Sequence, residues 1–217
     1  MDDCKIAVLA ARDNVPKAPR ICSVVVTYNR RALLLECLDA LMSQTAPLAG
    51  LCLVDNASGD GTAESLHASR YLDVLPPTPT KSTRWLRCTE VKVGENRAAF
   101  HYLHMPRNLG GAGGFFAGME CAEQAGYDGL WLMDDDAKPA SDALARLLAH
   151  WNEPELLALA GAVNDGDDLA LEHRGHFDFR FNQVFPLLHK PVPEHLYAQE
   201  TLDIDMASFV GLLVRTD

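Results

Sequence analysis

The chain has 217 residues, 48% of them hydrophobic and 23% charged, the proportions of an ordinary globular protein with room for one sizeable core. Thirty acidic against 19 basic residues give a formal net charge of −11. That balance excludes nucleic acid as a partner and generic attraction to anionic lipid, so a phosphate-bearing ligand would need a metal ion or a few aimed cationic side chains.

Residues 1–20 read as an N-terminal extension. The opening Met1-Asp2-Asp3 lacks the positive segment of a secretory signal. No apolar run reaches the length of a membrane span. The expectation is a cytoplasmic protein, with peripheral contact at the inner face of a membrane left open. The six cysteines include no C-x-x-C pair, and Cys22 and Cys52 fall inside apolar runs as reduced, buried thiols.

Ile21–Thr27 is β-branched and apolar with little alternation, the pattern of a strand buried on both faces. Arg31–Ser43 follows with Leu33, Leu34, Cys37, Leu38 and Leu41 at helical spacing. Leu51–Val54 is a second buried strand that ends at Asp55, and Asp60–Leu72 is a weakly amphipathic second helix. Pro76–Asn96, with three prolines, polar residues and Gly94, predicts a surface excursion.

Ala99–Met105 is a third strand, Asn108–Gly114 a glycine-rich turn, and Phe115–Ala125 a third helix. Gly129–Met133 is a fourth strand. Ser141 is placed to cap a helix running to about Trp151, and Leu156–Val163 is another apolar strand. Strand and helix in alternation imply a doubly wound α/β sheet over 21–165, mostly parallel and flanked by helices. Beyond it, Phe177, Phe179, Phe181 and Phe185 alternate with polar residues, the pattern of a small antiparallel β-ribbon. Residues 166–217 thus read as the start of a second, incomplete functional region.

Four segments carry chemistry, and each closes a strand. In an open α/β sheet, ligands sit outside the carboxyl ends of strands. Thr27-Tyr28-Asn29-Arg30 offers an arginine for a phosphate and a tyrosine ring for a planar group; alone, it also fits a plain helix start. Asp55 ends the second strand, where a carboxylate can accept from a nucleobase N–H; Ser58, Asp60 and Thr62 after it suit a turn and cap. Asn108-Leu109-Gly110-Gly111-Ala112-Gly113-Gly114 brings backbone N–H groups to a helix start, an anion site, although tight strand–helix packing would also call for glycine. Its spacing is that of neither a P-loop nor a dinucleotide fingerprint.

Asp134-Asp135-Asp136 follows the run Tyr127–Met133. Alternation along an extended chain points Asp134 and Asp136 one way and Asp135 the other. Two carboxylates on one side can hold Mg²⁺ or Mn²⁺ that keeps its remaining positions for water and diphosphate oxygens. Bound there, the metal would act as a Lewis acid on a leaving diphosphate. His101 and His104 at i, i+3 on a strand face opposite sides and share no metal. His173 and His176 lie in the late ribbon, and Trp131 and Trp151 read as core.

Together, Val24–Arg30, Val54–Ser58, Asn108–Phe115 and Leu132–Ala137, in order and each closing a strand, resemble glycosyltransferase family 2, in its bacterial galactofuranosyl- and rhamnosyltransferase-like branch. The resemblance covers about Ile21 to Ala137; it implies that 21–165 is the nucleotide-sugar-binding core and 166–217 the start of an acceptor-side region. It implies a GT-A fold and an inverting transfer of a galactofuranose- or rhamnose-like sugar. The donor would be a nucleotide-diphosphate sugar, UDP-linked in the galactofuranosyl members, and the acceptor a glycan or lipid-linked glycan of the bacterial cell wall or another polysaccharide. By resemblance, Thr27, Tyr28 and Arg30 line the nucleotide pocket, Asp55 meets the base, and Asn108 contacts the nucleotide beside Gly110 and Gly111. Asp134 and Asp135 belong to the donor side, and Asp134 and Asp136, the DXD motif, to Mn²⁺ or Mg²⁺. The catalytic base is expected in an acidic motif after Ala207–Arg215, beyond Asp217, so the sequence reads as truncated; Asp203 and Asp205 are the only nearby substitutes. A sugar-nucleotide-binding module without transfer activity and a metal-dependent nucleotidyltransferase are the competing readings.

Overall fold

The computed structural model describes residues 18–77, 84–153, 156–177 and 189–216. Ile21–Thr27 forms β1 and Gly50–Asp55 forms β2, both almost wholly buried. Between them α1 spans Arg31–Met42. It has no side-chain cap, a deficit of about 1 kcal/mol. Burial of Leu34, Leu38 and Leu41 contributes about 2 kcal/mol each and decides the matter.

The second helix, α2, covers only Thr62–Ala68, shorter than the Asp60–Leu72 periodicity predicts. Asp60 stays outside because its Oδ1 accepts from the Thr62 amide (3.2 Å) and hydroxyl (2.5 Å). Gly61 at φ 83° turns the chain in, and Arg70 at φ 63° turns it out.

The predicted excursion at 76–96 is mostly not one. Trp85–Val93 forms β3, antiparallel to β4 at Asn96–His104. Val93 pairs with Asn96, so Gly94 (φ 58°) and Glu95 make a two-residue hairpin turn. β3 is half-exposed at one edge of the sheet, and edge strands carry the polar residues that obscured it. Residues 78–83 lie outside the described residues.

Gly110–Gln124 forms α3, Gly129–Asp134 forms β5 and Ala143–Ala149 forms α4. The glycine-rich turn is therefore the first turn of α3. Ser141 does not cap α4; its carbonyl accepts from the Thr45 amide at 2.8 Å. The cap comes from elsewhere: buried Gln44 accepts from the Leu144 amide (3.0 Å) and donates to the Ala140 carbonyl (2.8 Å). The strand predicted over Leu156–Val163 shrinks to β6 at Ala158–Ala160.

Asn164–Asp165 (β7) and Asp168–Leu169 (β8) make a small hairpin. Arg174–Phe177 (β9), His189–Pro191 (β10) and Met206–Ala207 (β11) make a three-stranded antiparallel sheet. It is the expected ribbon, although Phe179, Phe181 and Phe185 lie outside the described residues. Leu212–Arg215 (β12) returns to the main sheet between β5 and β6.

The main sheet has seven strands in the order β3-β4-β2-β1-β5-β12-β6. The central four are parallel and the edges antiparallel. Alternate residues feed two cores. Val25, Leu53, Tyr102 and Trp131 pack with α1, Leu66 of α2 and Leu144 of α4. Val24, Cys52, Leu103 and Leu132 pack with Phe115, Ala117 and Ala122 of α3. This is an α/β sheet covered on both faces, as the buried strand runs predict. Cys22 and Cys52 are free thiols inside it, and burial pushes the Cys22 thiol far up.

Candidate functional site

Parallel register brings the strand ends together. Thr27 pairs with Asp55, Asp55 with His104, and Val26 with Asp134. All four central strands thus finish on one edge, and the loops leaving them are sewn to one another. The Asn29 amide donates to Ser58 Oγ (3.0 Å), and the Gly59 amide donates to Asn29 Oδ1 (2.8 Å). The Arg31 amide donates to Asp60 (3.0 Å). Asn56 accepts from the Leu109 amide (3.0 Å) and donates to the Gly110 carbonyl (2.9 Å). Ser58, Asp60 and Thr62 are structural, as their turn chemistry predicts. Asn29 had no role assigned in the sequence and Asn56 only that of a turn, yet they lock three loops; their position just past strand ends was the available signal.

The acidic triplet departs from simple alternation because the extended backbone ends at Asp134. Asp135 turns inward and is 4% exposed. Its carboxylate accepts from the Thr27 hydroxyl at 2.7 Å and faces Arg30 Nη1 at 3.4 Å. Asp136 points out and accepts from the same Nη1 at 2.6 Å. So Asp135 and Asp136, not Asp134 and Asp136, share one guanidinium. Asp134 is half-buried. Burial, then its acidic neighbours Asp136 and Asp135, hold its carboxyl above the ordinary range. Burial raises Asp135 likewise, against the pull of Thr27 and Arg30. A packed carboxylate set with one nearby arginine is a site that added positive charge would relax.

Asp55 is 1% exposed. It accepts from the Ser58 amide (2.7 Å) and the Tyr102 hydroxyl (2.5 Å), and His104 Nδ1 stands 3.5 Å away. Burial pushes its carboxyl up, but the bonds from His104, Tyr102 and Ser58 outweigh this and hold it below the ordinary range. Tyr28, next to Thr27, leaves its ring 47% exposed.

The glycine run divides in two. Gly110 (φ 72°) and Gly111 have nothing within 4 Å of a Cβ position, so a ligand can approach them closely, although the Gly110 amide and carbonyl are already taken by Asn108 and Asn56. Gly114 and Gly118 lie against the sheet: a Cβ at Gly114 would sit 2.5 Å from Val26 Cγ1, and one at Gly118 2.5 Å from Val24 Cγ1. The tight-packing reading of the segment is realised at Gly114, while Gly110 and Gly111 stay at the surface. Asn108 Oδ1 accepts from the Gly110 amide at 2.7 Å and shapes that exposed start.

His101 and His104 face opposite ways. His101 meets the Tyr127 hydroxyl at 2.8 Å and Cys88 Sγ at 3.3 Å, and His104 meets Tyr102. Trp131 and Trp151 are core. Asp205 is occupied in the ribbon, accepting from the Phe177 amide at 3.2 Å beside His176 Nδ1 at 3.2 Å.

The sequence profile described as "Glycosyl transferase family 2" matches residues 22–73 and 91–205. The chain belongs to glycosyltransferase family 2. Among its relatives in the family, the galactofuranosyltransferase GlfT1 of Mycolicibacterium smegmatis is 35% identical over 149 residues, covering 68% of this chain and 40% of that protein. GlfT1 of Mycobacterium tuberculosis is 36% identical over 149 residues, covering 67% and 40%. This family member therefore spans about two fifths of the length of the relatives it matches. The crystal structure of S. aureus TarS 1-349 is similar at a TM-score of 0.50 and 16% identity, over 91% of this chain and 47% of that one. The likeness supports the GT-A type fold. Among the described residues, no helix is long and apolar enough to cross a membrane.

Proposed function

We propose that the crevice at the ends of β1, β2, β4 and β5 binds a nucleotide-diphosphate sugar, most simply a UDP-sugar. Its galactofuranose- or rhamnose-like group passes with inversion to a glycan or lipid-linked glycan acceptor. The observation that supports this reading is the contiguity of the motifs: Thr27 pairs with Asp55 on one side and bonds Asp135 at 2.7 Å on the other. A donor lying across Thr27 would have its base toward Asp55 and Tyr28 and its diphosphate toward the acidic triplet. Asn108, Gly110 and Gly111 would line the nucleotide side.

A divalent cation fits this set in a particular way. Among the described residues, no group of three His, Cys, Asp or Glu side chains makes a ready cage. Mg²⁺ and Mn²⁺ need none, because one or two carboxylates plus water and phosphate oxygens complete their octahedron. Asp134 and Asp136 would hold the ion, which supplies Lewis-acid stabilisation of the departing diphosphate. Arg30 would then exchange Asp136 for a phosphate oxygen, trading one charge-assisted bond for another. Thr27 and Arg30 hold Asp135 in place throughout. Membership of the family favours sugar transfer over nucleotidyl transfer.

The test is a thermal-shift panel of UDP-, dTDP- and GDP-sugars with and without Mn²⁺. The right donor raises the melting temperature by mass action, and more so with metal. Asp136→Ala should abolish the metal-dependent increment. An unchanged increment in that variant would rule out the metal assignment, and no shift with any donor would rule out the site.

A further inference from the structure

The C-terminal segment brings one histidine toward this crevice, with its ring bonded at Nδ1. His173 and Ser208 are joined twice. The Ser208 amide donates to the His173 carbonyl at 3.1 Å, and Ser208 Oγ lies 2.7 Å from His173 Nδ1. Arg174, 3% exposed, secures both residues. It donates to the His173 carbonyl (2.7 Å), the Ser208 hydroxyl (3.5 Å), the Val210 carbonyl (2.7 Å) and the Gly161 carbonyl (2.9 Å).

The segment after Ser208 then crosses the end of β5. Phe209 stands edge-on to Phe115 of α3 with centroids 4.9 Å apart, and the Gly211 amide donates to the Leu132 carbonyl at 3.0 Å. Leu212 pairs with Leu132, two residues before Asp134, so the stretch just before β12, which carries Ser208 and the bound His173, runs toward the acidic end of β5.

The Ser208 hydroxyl accepts from Arg174 and can give its own hydrogen to His173 Nδ1. A neutral imidazole that accepts at Nδ1 carries its hydrogen on Nε2. Among the described residues Nε2 has no partner, and the ring is partly exposed.

We propose that His173 Nε2–H donates to an oxygen of the donor diphosphate, making His173 a phosphate-binding residue of the transfer site. The assignment rests on the sugar-nucleotide reading of the crevice. It implies that the segment after β8 takes part in donor binding and is more than a scaffold for the acceptor.

The test compares UDP with uridine by calorimetry on the full 217-residue chain in Mn²⁺, because only UDP carries the diphosphate. His173→Asn keeps a polar atom near the Nδ1 position and loses Nε2. It should weaken UDP about tenfold, the size of one hydrogen bond to a charged group, and leave uridine unchanged. His173→Gln, which reaches the Nε2 position, should recover most of that loss. Unchanged UDP affinity in His173→Asn would overturn the proposal. So would equal losses for UDP and uridine, since that result marks a purely structural tie. A wild-type chain that binds UDP no better than uridine would instead bring down the sugar-nucleotide reading itself.

Discussion

The middle of the main sheet and the C-terminal segment are held by different forces. In β1 and β2 every residue but Val26 is buried, and two apolar clusters clamp the strands from both faces. In the described residues from 156 onward, only Arg174, Gly175, Val192 and Leu213 are buried. There a single guanidinium gathers Gly161, His173, Ser208 and Val210. Apolar burial is spread over many contacts and tolerates replacements of similar shape. A directional knot depends on one side chain, and breaking it strands several half-buried acceptors. The lesson is that packing makes the strand-end crevice rigid, whereas one residue secures the C-terminal segment.

Four substitutions would break or sharpen that contrast. The largest effect is expected for Gly118→Val. A Cβ there meets Val24 Cγ1 at 2.5 Å and Val54 Cγ2 at 2.9 Å, so α3 must lift from the sheet. Overpacking of this kind costs about 3 kcal/mol, read as a cooperative loss of melting temperature; a variant as stable as the parent would refute the close packing. Arg174→Met should cost about 2 kcal/mol by leaving carbonyls unpaired. Its signature is regional: amide exchange should rise in β9, β11 and around Ser208–Gly211, while β1 and β2 stay protected. Uniform loss of protection would mean that the two regions are one cooperative unit.

Tyr102→Phe acts inside the packed sheet but on a polar group. It removes the 2.5 Å bond to the buried Asp55 carboxylate and should cost about 1–2 kcal/mol at neutral pH. The folded-state pKa of Asp55 is lowered, so its contribution is present above the ordinary carboxylate pKa and is lost as pH falls through the folded value. The deficit of Tyr102→Phe should therefore shrink in acid; a pH-independent deficit would show that the bond does not favour the ionised form. Asp134 and Asp135 run the other way. Their pKa values are raised, so their ionisation weakens the fold as pH climbs through those values. The smallest effect on stability is expected for Arg30→Gln. With Arg30 and Asp136 both about half exposed, the pair is worth about 0–1 kcal/mol. Without donor, Mn²⁺ should bind this variant more tightly by calorimetry, because no guanidinium competes for Asp136. Weaker Mn²⁺ binding would count against that competition.

Much of the sheet was legible because its strands are buried on both faces. Ile21–Thr27 and Leu51–Val54 are continuous apolar runs, and little but a central parallel strand produces them. The hairpin at 85–104 was missed for the converse reason: β3 is an edge strand whose outward positions carry Leu86, Cys88, Glu90 and Lys92. In the crevice, the four strand-end motifs could be named residue by residue. What each side chain does could not. Asp135 was expected to face opposite to Asp134 and Asp136; the strand ends at Asp134, and Thr27 and Arg30 hold Asp135 so that it shares one guanidinium with Asp136.

By itself, the sequence determined which segments are strands of a two-face-covered sheet and which residues stand at their carboxyl ends. Those choices follow from local hydrophobic runs and from turn chemistry within a few residues. Only the tertiary structure decided the partners: Gln44 capping α4, Asn56 holding the start of α3, Arg30 bridging Asp135 and Asp136, and Arg174 tying His173 to Ser208. Each is a polar contact between residues distant in the chain or turned by a backbone bend. A polar side chain has no periodicity to betray its mate; packing the sheet and helices sets the distances that select it.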